Sequence, residues 1–155
     1  MKKICFTASS GGHFEQLMML KPLMDKYDSF IVTEKTDYSV MNNDRKVYYL
    51  GQINRNEKTF IFKMIINSFK SFNIFINEKP DIVISTGALS TIPICILSKI
   101  FRKKVIFIES FAKVTSPTLT GKLVYKFADQ FYVQWEQLKE YYPDAICKGG
   151  IYWFL

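Results

Sequence analysis

The first twenty residues constrain the fold more than any other stretch of the chain. A short β-favouring run led by two lysines (residues 2–8) stops at five small or polar residues (9–13), and a helical pattern then covers residues 14–20. A strand, a glycine turn and a helix in immediate succession are typical of the opening of a doubly wound parallel sheet. The sequence therefore predicts an α/β, Rossmann-like domain.

The turn between these two elements is predicted to face a phosphate or diphosphate. Small residues allow backbone N–H groups to approach an anion closely, and the following helix directs its unpaired N–H groups and its positive dipole end at the same point. The residues expected to bind the anion are Ser9, Ser10, Gly11 and Gly12.

His13 ends this turn and is the only histidine of the chain. Neither common phosphate motif fits: the turn lacks the spacing G-x-G-x-x-G, and the pair Gly121-Lys122 is followed by Leu123 instead of the Ser or Thr of a P-loop. Two interpretations of His13 stay open, a helix cap that happens to be an imidazole and a group that binds substrate or transfers a proton. Its place beside a double glycine at a strand end favours the second, so His13 is predicted to be catalytic.

Charge and cysteine content narrow the class of partner. The net charge of +7 and the pI near 9.3 favour an anionic partner. The sequence shows no nucleic-acid module and no dense basic run, so an anionic membrane surface and phosphorylated ligands are expected, and nucleic acid is not. The three cysteines, Cys5, Cys95 and Cys147, are far apart and lack C-x-x-C spacing. We therefore expect no metal site, no cofactor and no disulfide framework, and a reducing cytoplasm fits.

The length of 155 residues predicts a single domain, residues 1–150, followed by an apolar tail, residues 151–155. The first strand is expected to carry function, so it is interpreted as neither a signal peptide nor a membrane anchor. Further strands are predicted at residues 29–33, 46–50, 81–85, 105–108, 129–133 and 145–148. Helices are predicted at residues 37–43, 59–77, 91–101, 122–128 and 135–142.

The predicted helix 59–77 is unusually apolar. Isoleucine, phenylalanine and methionine cover more than half of its circumference, and the opposite side carries Lys63, Asn67, Lys70 and Asn73. The ordinary interpretation is an apolar face that packs on the sheet and a polar face in water. The excess of apolar residues also favours partial contact with a bilayer or a partner. The charged and amide residues exclude a membrane span.

Two more features follow predicted strands. Thr86 and Gly87 begin a second small-residue turn, and Glu109 ends a buried strand. Ligands bind at the carboxyl ends of parallel strands, which predicts substrate contacts from Thr86 and Gly87 and a catalytic role for Glu109. The alternatives for Glu109 are a helix cap or a surface ion pair.

The last five residues, Ile151, Tyr152, Trp153, Phe154 and Leu155, are all apolar and follow a double glycine. Chain ends are normally polar and frayed. The tail is interpreted either as packed in a groove of its own domain or, as we predict, as docked on another subunit.

Three of these turns together resemble those of a known glycosyltransferase family. They are SSGGH at residues 9–13, ISTGA-x-x-TIP at 84–93 and IFIESF at 106–111, and the likeness extends to ADQFYVQW at 128–135. With these motifs the chain resembles the acceptor-side subunit of the bipartite enzymes that extend lipid-diphosphate-linked sugars, in the form found in bacterial capsule and exopolysaccharide gene clusters. It is also similar to the N-terminal domain of the peptidoglycan GlcNAc transferase.

The resemblance implies one half of a GT-B glycosyltransferase. A donor-side subunit would bind most of the UDP-sugar, and this chain would bind the lipid-diphosphate-linked glycan and be inactive alone. Residues 9–13, Thr86 and Gly87 would line the cleft near the acceptor diphosphate, with Glu109 on the same rim. The eukaryotic subunit typically carries an N-terminal membrane helix, which this sequence lacks. Attachment is therefore expected to be peripheral, on the inner face of the cell membrane, through basic charge, residues 59–76 or a partner.

Two other classes of function stay open at this stage. One is a self-sufficient small Rossmann-like enzyme that binds a phosphate or nucleotide. The other is a non-catalytic adaptor that recruits a transferase to the membrane. The three classes differ in whether this chain turns over a nucleotide-sugar alone, only with a partner, or not at all.

Overall fold

The computed structural model describes residues 2–36 and 45–154, and its centre is a seven-stranded parallel sheet. The strands are β1 (Lys3–Ala8), β2 (Asp28–Glu34), β3 (Val47–Leu50), β4 (Ile82–Ser85), β5 (Lys104–Ile108), β6 (Gln130–Val133) and β7 (Ile146–Cys147). Their order is β3-β2-β1-β4-β5-β6-β7, and every neighbouring pair is parallel. All carboxyl ends therefore lie at one edge, and the strand order reverses between β1 and β4, the position at which such sheets bind ligands.

This architecture confirms the predicted doubly wound α/β class, and each predicted strand is found within two residues of its expected bounds. The predicted helix at residues 37–43 lies outside the described residues. The helices are α1 (Gly12–Met18), α2 (Lys21–Met24), α3 (Phe60–Glu78), α4 (Ile92–Ile100) and α5 (Leu119–Val124). The predicted helices at 122–128 and 135–142 are corrected. The first begins earlier because Thr118 caps it at the Gly121 N–H, and the second is a 3-10 helix, Glu136–Glu140.

Helices cover both faces of the sheet. On one face α1 and α2 bury Leu17 and Met24 against apolar residues of β1, β2 and β4. On the other face α3, α4 and α5 bury Phe75, Ile94 and Val124. Alternate residues of each strand serve the two cores, which is why the central strands read as continuous apolar runs.

The orientation of α3 corrects the ordinary interpretation of its sequence. Asn67 and Ser71 face the sheet and are buried, whereas Ile61, Phe62 and Phe69 are each about two-thirds exposed. The reason is a pair of hydrogen bonds: the Asn67 amide accepts from the Gly51 N–H at 2.9 Å and donates to the Gly51 carbonyl at 2.7 Å. A polar residue thus docks α3 on the end of β3, and the apolar arc of the helix points outward.

The outward apolar surface continues over the neighbouring helices. We call it the apolar face; it comprises Ile61, Phe62, Ile65, Ile66, Phe69, Phe72 and Ile76 of α3, Ile96, Ile100 and Phe101 at α4, and Leu119 and Leu123 of α5. Despite this, no helix among residues 2–36 and 45–154 combines the length and hydropathy that crossing a bilayer requires.

Candidate functional site

The two predicted small-residue turns meet at the carboxyl edge of the sheet. The Ser9 N–H donates to the Gly87 carbonyl at 2.7 Å, and the Thr86 hydroxyl donates to the His13 carbonyl at 2.7 Å. Gly87 has a φ of 96°, and a Cβ there would lie 3.1 Å from His13 Nδ1. Glycine is therefore required at this position both by the backbone conformation and by the close imidazole.

The imidazole of His13 is fixed by its contact with the second turn. His13 Nδ1 lies 2.7 Å from the Thr86 carbonyl oxygen. A carbonyl oxygen only accepts, so Nδ1 carries the hydrogen and Nε2 of the neutral ring carries the lone pair. The contact leaves Nε2 as the nitrogen that can accept a proton. Thr86 itself is fully buried, so its side chain acts on the site through His13.

The double glycine of the first turn leaves free backbone donors. Gly11 has a φ of 70°, and nothing lies within 4 Å of where a side chain at Gly11 or Gly12 would project. Within the described part of the chain, no acceptor is found for the N–H groups of Gly11, Gly12 and His13. The Ser10 hydroxyl is already engaged, because it donates to Glu34 at 3.0 Å. The turn therefore offers backbone N–H groups more than serine hydroxyls.

His13 opens into a cleft of about 320 Å³ that also contains two cations. Arg55 reaches it from the loop after β3 and Lys113 from the loop after β5. Thr118 and Leu119 complete the wall at the start of α5. Neither cationic side chain has an acidic partner among residues 2–36 and 45–154. An imidazole and two unpaired cations around one cavity suit a negatively charged ligand with more than one phosphate oxygen to bind.

Sequence reasoning missed Arg55 and Lys113. They lie in polar loops without a recognisable spacing, and only the parallel topology brings them to His13. The sequence did contain one indication of their position, because both loops follow predicted parallel strands and therefore begin at the same edge of the sheet.

Glu109 follows β5 as expected, but its carboxylate points beneath α5 and is 1% exposed. It accepts from the Ser110 N–H at 2.8 Å, from the Thr118 N–H and hydroxyl at 3.1 and 2.9 Å, and from the Tyr142 hydroxyl at 2.7 Å. Gly121 makes room, since a Cβ there would be 2.0 Å from Glu109 Oε2. Glu109 therefore holds Thr118, which is the N-cap of α5. This geometry is nearer to the helix-cap alternative than to a surface ion pair.

Tyr142 completes the environment of Glu109. Burial raises the pKa of the Tyr142 phenol well above its usual range, and the hydrogen bond to Glu109 and the charge of that carboxylate act in the same direction. The phenol therefore keeps its proton and donates. Among the described residues, the donors to the Glu109 carboxylate are thus all neutral.

A buried pair of amides ties the site to the end of the chain. The Gln134 amide donates to Gln16 Oε1 at 2.9 Å and to the Glu109 carbonyl at 2.8 Å, and Gln134 Oε1 accepts from the Ile151 N–H at 2.8 Å. Gln16 lies one turn after His13 on α1 and also accepts from the Phe111 N–H at 3.0 Å. We call Gln16 and Gln134 the amide pair.

The start of the predicted tail lies on this domain. Ile151–Phe154 forms a 3-10 helix, the Tyr152 ring packs edge-on against Phe111 with centroids 5.1 Å apart, and Ile151 and Tyr152 are partly buried. Leu155 lies outside the described residues. Two residues of the tail therefore contact their own domain.

Comparison with known sequences gives a consistent set of relatives. A family model described as "Oligosaccharide biosynthesis protein Alg14 like" matches residues 4–151. A protein of Rattus norvegicus named UDP-N-acetylglucosamine transferase subunit ALG14 is 28% identical over an alignment 177 positions long, which covers 96% of this chain and 82% of that protein. A Pelagibacter ubique protein named UDP-N-acetylglucosamine--N-acetylmuramyl-(pentapeptide) pyrophosphoryl-undecaprenol N-acetylglucosamine transferase is 32% identical over 117 residues, covering 70% of this chain and 33% of that protein.

Solved structures share the fold. MurG from Acinetobacter baumannii superposes with a TM-score of 0.72 at 14% identity, over 88% of this chain and 43% of its own. UDP-N-acetylglucosamine 2-epimerase from Rickettsia bellii superposes with a TM-score of 0.73 at 15% identity, over 98% of this chain and 46% of its own. The chain spans less than half the length of these two structures. The likeness confirms the predicted fold, a Rossmann-like domain of the kind that forms half of a GT-B enzyme.

Proposed function

Because the chain belongs to the Alg14-like family of oligosaccharide biosynthesis proteins, we propose that it is the acceptor-side subunit of a two-subunit glycosyltransferase. The complex transfers a sugar from a UDP-sugar to a lipid-diphosphate-linked glycan, and this chain binds the acceptor and recruits the complex to the membrane. The names of the relatives, which are GlcNAc transferases or their subunits, favour GlcNAc as the sugar.

The observation that carries the proposal is the cationic cleft. Arg55 and Lys113 line the cleft together with His13, at the edge where parallel sheets bind ligands, and the glycine turn that leads directly into His13 supplies further N–H donors for a diphosphate. Ser9 and Thr86 are buried and hold the two turns together, and the Ser10 N–H and hydroxyl both donate to Glu34, so the contacts to substrate come from the N–H groups of Gly11, Gly12 and His13. Gly87 allows the turn to approach the imidazole.

In the proposed reaction, a hydroxyl of the acceptor glycan attacks the anomeric carbon of the UDP-sugar. The new bond joins that oxygen to the sugar, the bond from the sugar to the UDP phosphate breaks, and UDP leaves with the electron pair. The hydroxyl proton passes to a base. His13 Nε2 carries a lone pair because Nδ1 donates to the Thr86 carbonyl, so His13 is the base that we propose.

We assign Glu109 a positioning role, which differs from the catalytic role predicted from its sequence position. Its carboxylate is buried and bonded to Thr118 and Tyr142, so it supports the start of α5, where Thr118 and Leu119 line the cleft.

The donor side of the site is proposed to come from a partner subunit, which binds most of the UDP-sugar. This chain superposes on less than half of MurG, and the remainder of a GT-B site requires a second Rossmann-like domain. We propose that Trp153, Phe154 and Leu155 contact this partner, and that Ile151 and Tyr152 attach the tail to its own domain and extend the contact surface.

Membrane recruitment is proposed to use the apolar face. Its members on α3 lie on one side of a 19-residue helix and are exposed, while Lys63 and Lys70 flank them. An apolar surface with basic margins suits an anionic membrane interface. We propose that this membrane is the inner face of the bacterial cell membrane and that the pathway is capsule or exopolysaccharide synthesis, on the ground of the motif resemblance alone.

The proposal is tested by reconstituting the chain with a donor-side partner, UDP-GlcNAc and a lipid-diphosphate-linked acceptor. We expect turnover only when both subunits are present. Turnover by the isolated chain would favour a self-sufficient enzyme, and full turnover by the partner alone would favour an adaptor.

Within this assay, the variant His13→Asn separates the roles of the two imidazole nitrogens. An asparagine amide can replace Nδ1 as donor to the Thr86 carbonyl but cannot replace Nε2. We expect His13→Asn to lower kcat roughly 10²–10⁴-fold while the melting temperature stays close to that of the wild type. A change within a factor of about two would leave the imidazole only its structural contact with the Thr86 carbonyl; it is not the helix cap, since Gly11 is the N-cap of α1.

The tail is tested by Trp153→Ser/Phe154→Ser, which keeps Ile151 and Tyr152. We expect a folded domain, by circular dichroism, that no longer retains the partner in a pull-down. Normal retention would place the subunit contact elsewhere.

A further inference from the structure

The carboxyl edge of the sheet carries a second cationic pocket that shares no lining residue with the cleft. It has a volume of about 300 Å³ and lies between the ends of β2 and β3 and the first half of α3. Its lining residues are Lys35, Gly51, Gln52, Lys63, Ile66, Asn67 and Lys70. The loop after β3 separates the two cavities, since Gln52 faces this pocket and Arg55 faces the cleft.

The chemistry of the pocket selects an anion. Lys63, Asn67 and Lys70 recur at helical spacing on one side of α3, and Lys35 approaches from β2. Lys63 is paired with Glu57, but Lys35 and Lys70 have no acidic partner among the described residues. The Asn67 amide is already committed to Gly51, so the groups left for a ligand are the lysine ammoniums and the Gln52 amide. None of the lining residues is acidic.

The position of the pocket selects the kind of anion. Ile66 lines the pocket and also belongs to the apolar face, where it is 39% exposed. A ligand that places a phosphate among the lysines therefore has an apolar surface directly beside it. We propose that this pocket binds the phosphate headgroup of an anionic membrane phospholipid, whose acyl chains lie along α3. This inference rests on the proposed membrane recruitment and adds to it a specific lipid site.

The experiment measures binding of the whole chain to two kinds of vesicle, phosphatidylglycerol in phosphatidylcholine and phosphatidylcholine alone. The test variant is Lys35→Ala/Lys70→Ala. The matched control is Lys26→Ala/Lys148→Ala, which removes the same charge from two exposed lysines that lie outside the pocket. If each pocket lysine contributes as a basic residue at an anionic surface does, the test variant loses roughly 20–30-fold in partition coefficient on phosphatidylglycerol vesicles. The control should lose less than about 3-fold by the same reasoning, because its lysines do not contact the lipid.

Each other outcome overturns the lipid site. An equal loss of partition coefficient in the two double variants would mean that only the net charge of the protein matters. An unchanged partition coefficient in the test variant would mean that the pocket binds no lipid. Vesicles of phosphatidylcholine with a polyprenyl diphosphate provide a further arm. A loss confined to that arm would assign the pocket to the glycan acceptor instead. Binding of inorganic phosphate in solution by the wild-type chain and not by the test variant, with equal partition of the two on phosphatidylglycerol vesicles, would assign the pocket to free phosphate.

The same vesicle assay with one more variant, Phe62→Ser/Phe69→Ser, separates the headgroup site from the proposed recruitment by the apolar face. If the wild-type chain binds neither kind of vesicle, both fail. If it binds and Phe62→Ser/Phe69→Ser abolishes binding while Lys35→Ala/Lys70→Ala does not, recruitment by the apolar face stands and the headgroup site fails.

Discussion

The two edges of the sheet differ in how many of their charges are paired. Of the eight ion pairs among the described residues, six lie at the amino ends of the strands and two at the carboxyl ends. At the amino edge Lys103 pairs with Asp81 and Lys99 with Asp129. At the carboxyl edge Arg55 and Lys113 have no acidic partner within residues 2–36 and 45–154. Most ion pairs among the described residues therefore fasten the first edge, although Lys26 and Arg102 there have none, whereas the two cations of the cleft at the second edge are available to a ligand.

Two of the three buried glutamates among the described residues, one at each edge, differ in a related way. Glu78, at the amino edge, is surrounded by Lys3, Lys46 and Tyr48. Burial alone would raise its pKa, but the hydrogen bonds from these three residues outweigh burial and lower the pKa to about 2. Glu109, at the carboxyl edge, is held by neutral donors only. The buried Glu78 carboxylate at the amino edge is therefore compensated by two lysines and a tyrosine. The buried Glu109 carboxylate is compensated by hydroxyl and backbone N–H groups, which leaves the nearby cations of the cleft free to bind a ligand.

The largest expected effect is at the carboxyl edge. Arg55→Ala/Lys113→Ala removes both cations of the cleft, and we expect kcat/KM for the lipid-linked acceptor to fall by roughly 10³-fold or more, since a single positioned donor is worth about 10²-fold or more. The melting temperature should not fall, because neither side chain has an acidic partner in the described structure. The matched control is Lys103→Ala, which should leave kcat/KM unchanged. Similar losses in both variants would remove the distinction between the edges.

Glu109→Gln is expected to have the next largest effect. The amide presents a donor where Thr118 and Tyr142 already donate, and we expect the free energy of unfolding to fall by about 3–4 kcal/mol, because bonds to a buried charge are lost and donors are left unsatisfied. Urea unfolding measures the loss. If stability is unchanged and turnover falls, Glu109 has the catalytic role that its sequence position predicts.

Glu78→Gln tests the amino edge through pH. The folded-state pKa of Glu78, about 2, lies below the ordinary value of 4.5. The stabilisation is therefore complete above about pH 4.5 and is lost as the pH falls towards 2. We expect the wild type to be more stable than the variant by about 2–3 kcal/mol at pH 7, and the difference to shrink through that range. A difference that is independent of pH would contradict the ion cluster.

Lys99→Ala should have the smallest effect. Its partner Asp129 and the lysine itself are each about one-third exposed, so solvent screens the pair. We expect a change in unfolding free energy within about 0.5–1 kcal/mol and unchanged turnover. A larger loss would mean that the amino-edge pairs act as a network rather than singly.

The sequence was sufficient for the parallel sheet and for the meeting of its two glycine turns. Apolar runs that end in small residues are set by local chemistry, and parallel topology then brings residues 9–13 and Gly87 together. It was not sufficient for α3, because a helical wheel shows an apolar arc without showing which side meets the sheet. The pairing of Asn67 with Gly51 decides that, and it joins residues that are 16 positions apart.

The direction of the Glu109 side chain was also beyond the sequence. Its position at the end of β5 was predicted correctly, but the carboxylate turns under α5 because Gly121 leaves space for it. That space depends on packing between two elements, which periodicity does not report. Arg55 and Lys113 were missed for a related reason, since each lies in a loop whose course is fixed only by the assembled edge.

The amide pair has a consequence for the order in which the domain forms. Gln16 and Gln134 are separated by 118 residues, and Gln16 contacts Phe111 across 95. Contacts of this span close late, because the entropy of a long loop must be overcome before they stabilise anything. On a ribosome, β1 and α1 emerge first, yet the amide that fixes α1 arrives more than a hundred residues afterwards. The helix that begins beside His13 is thus among the first elements synthesised and among the last to be held in place.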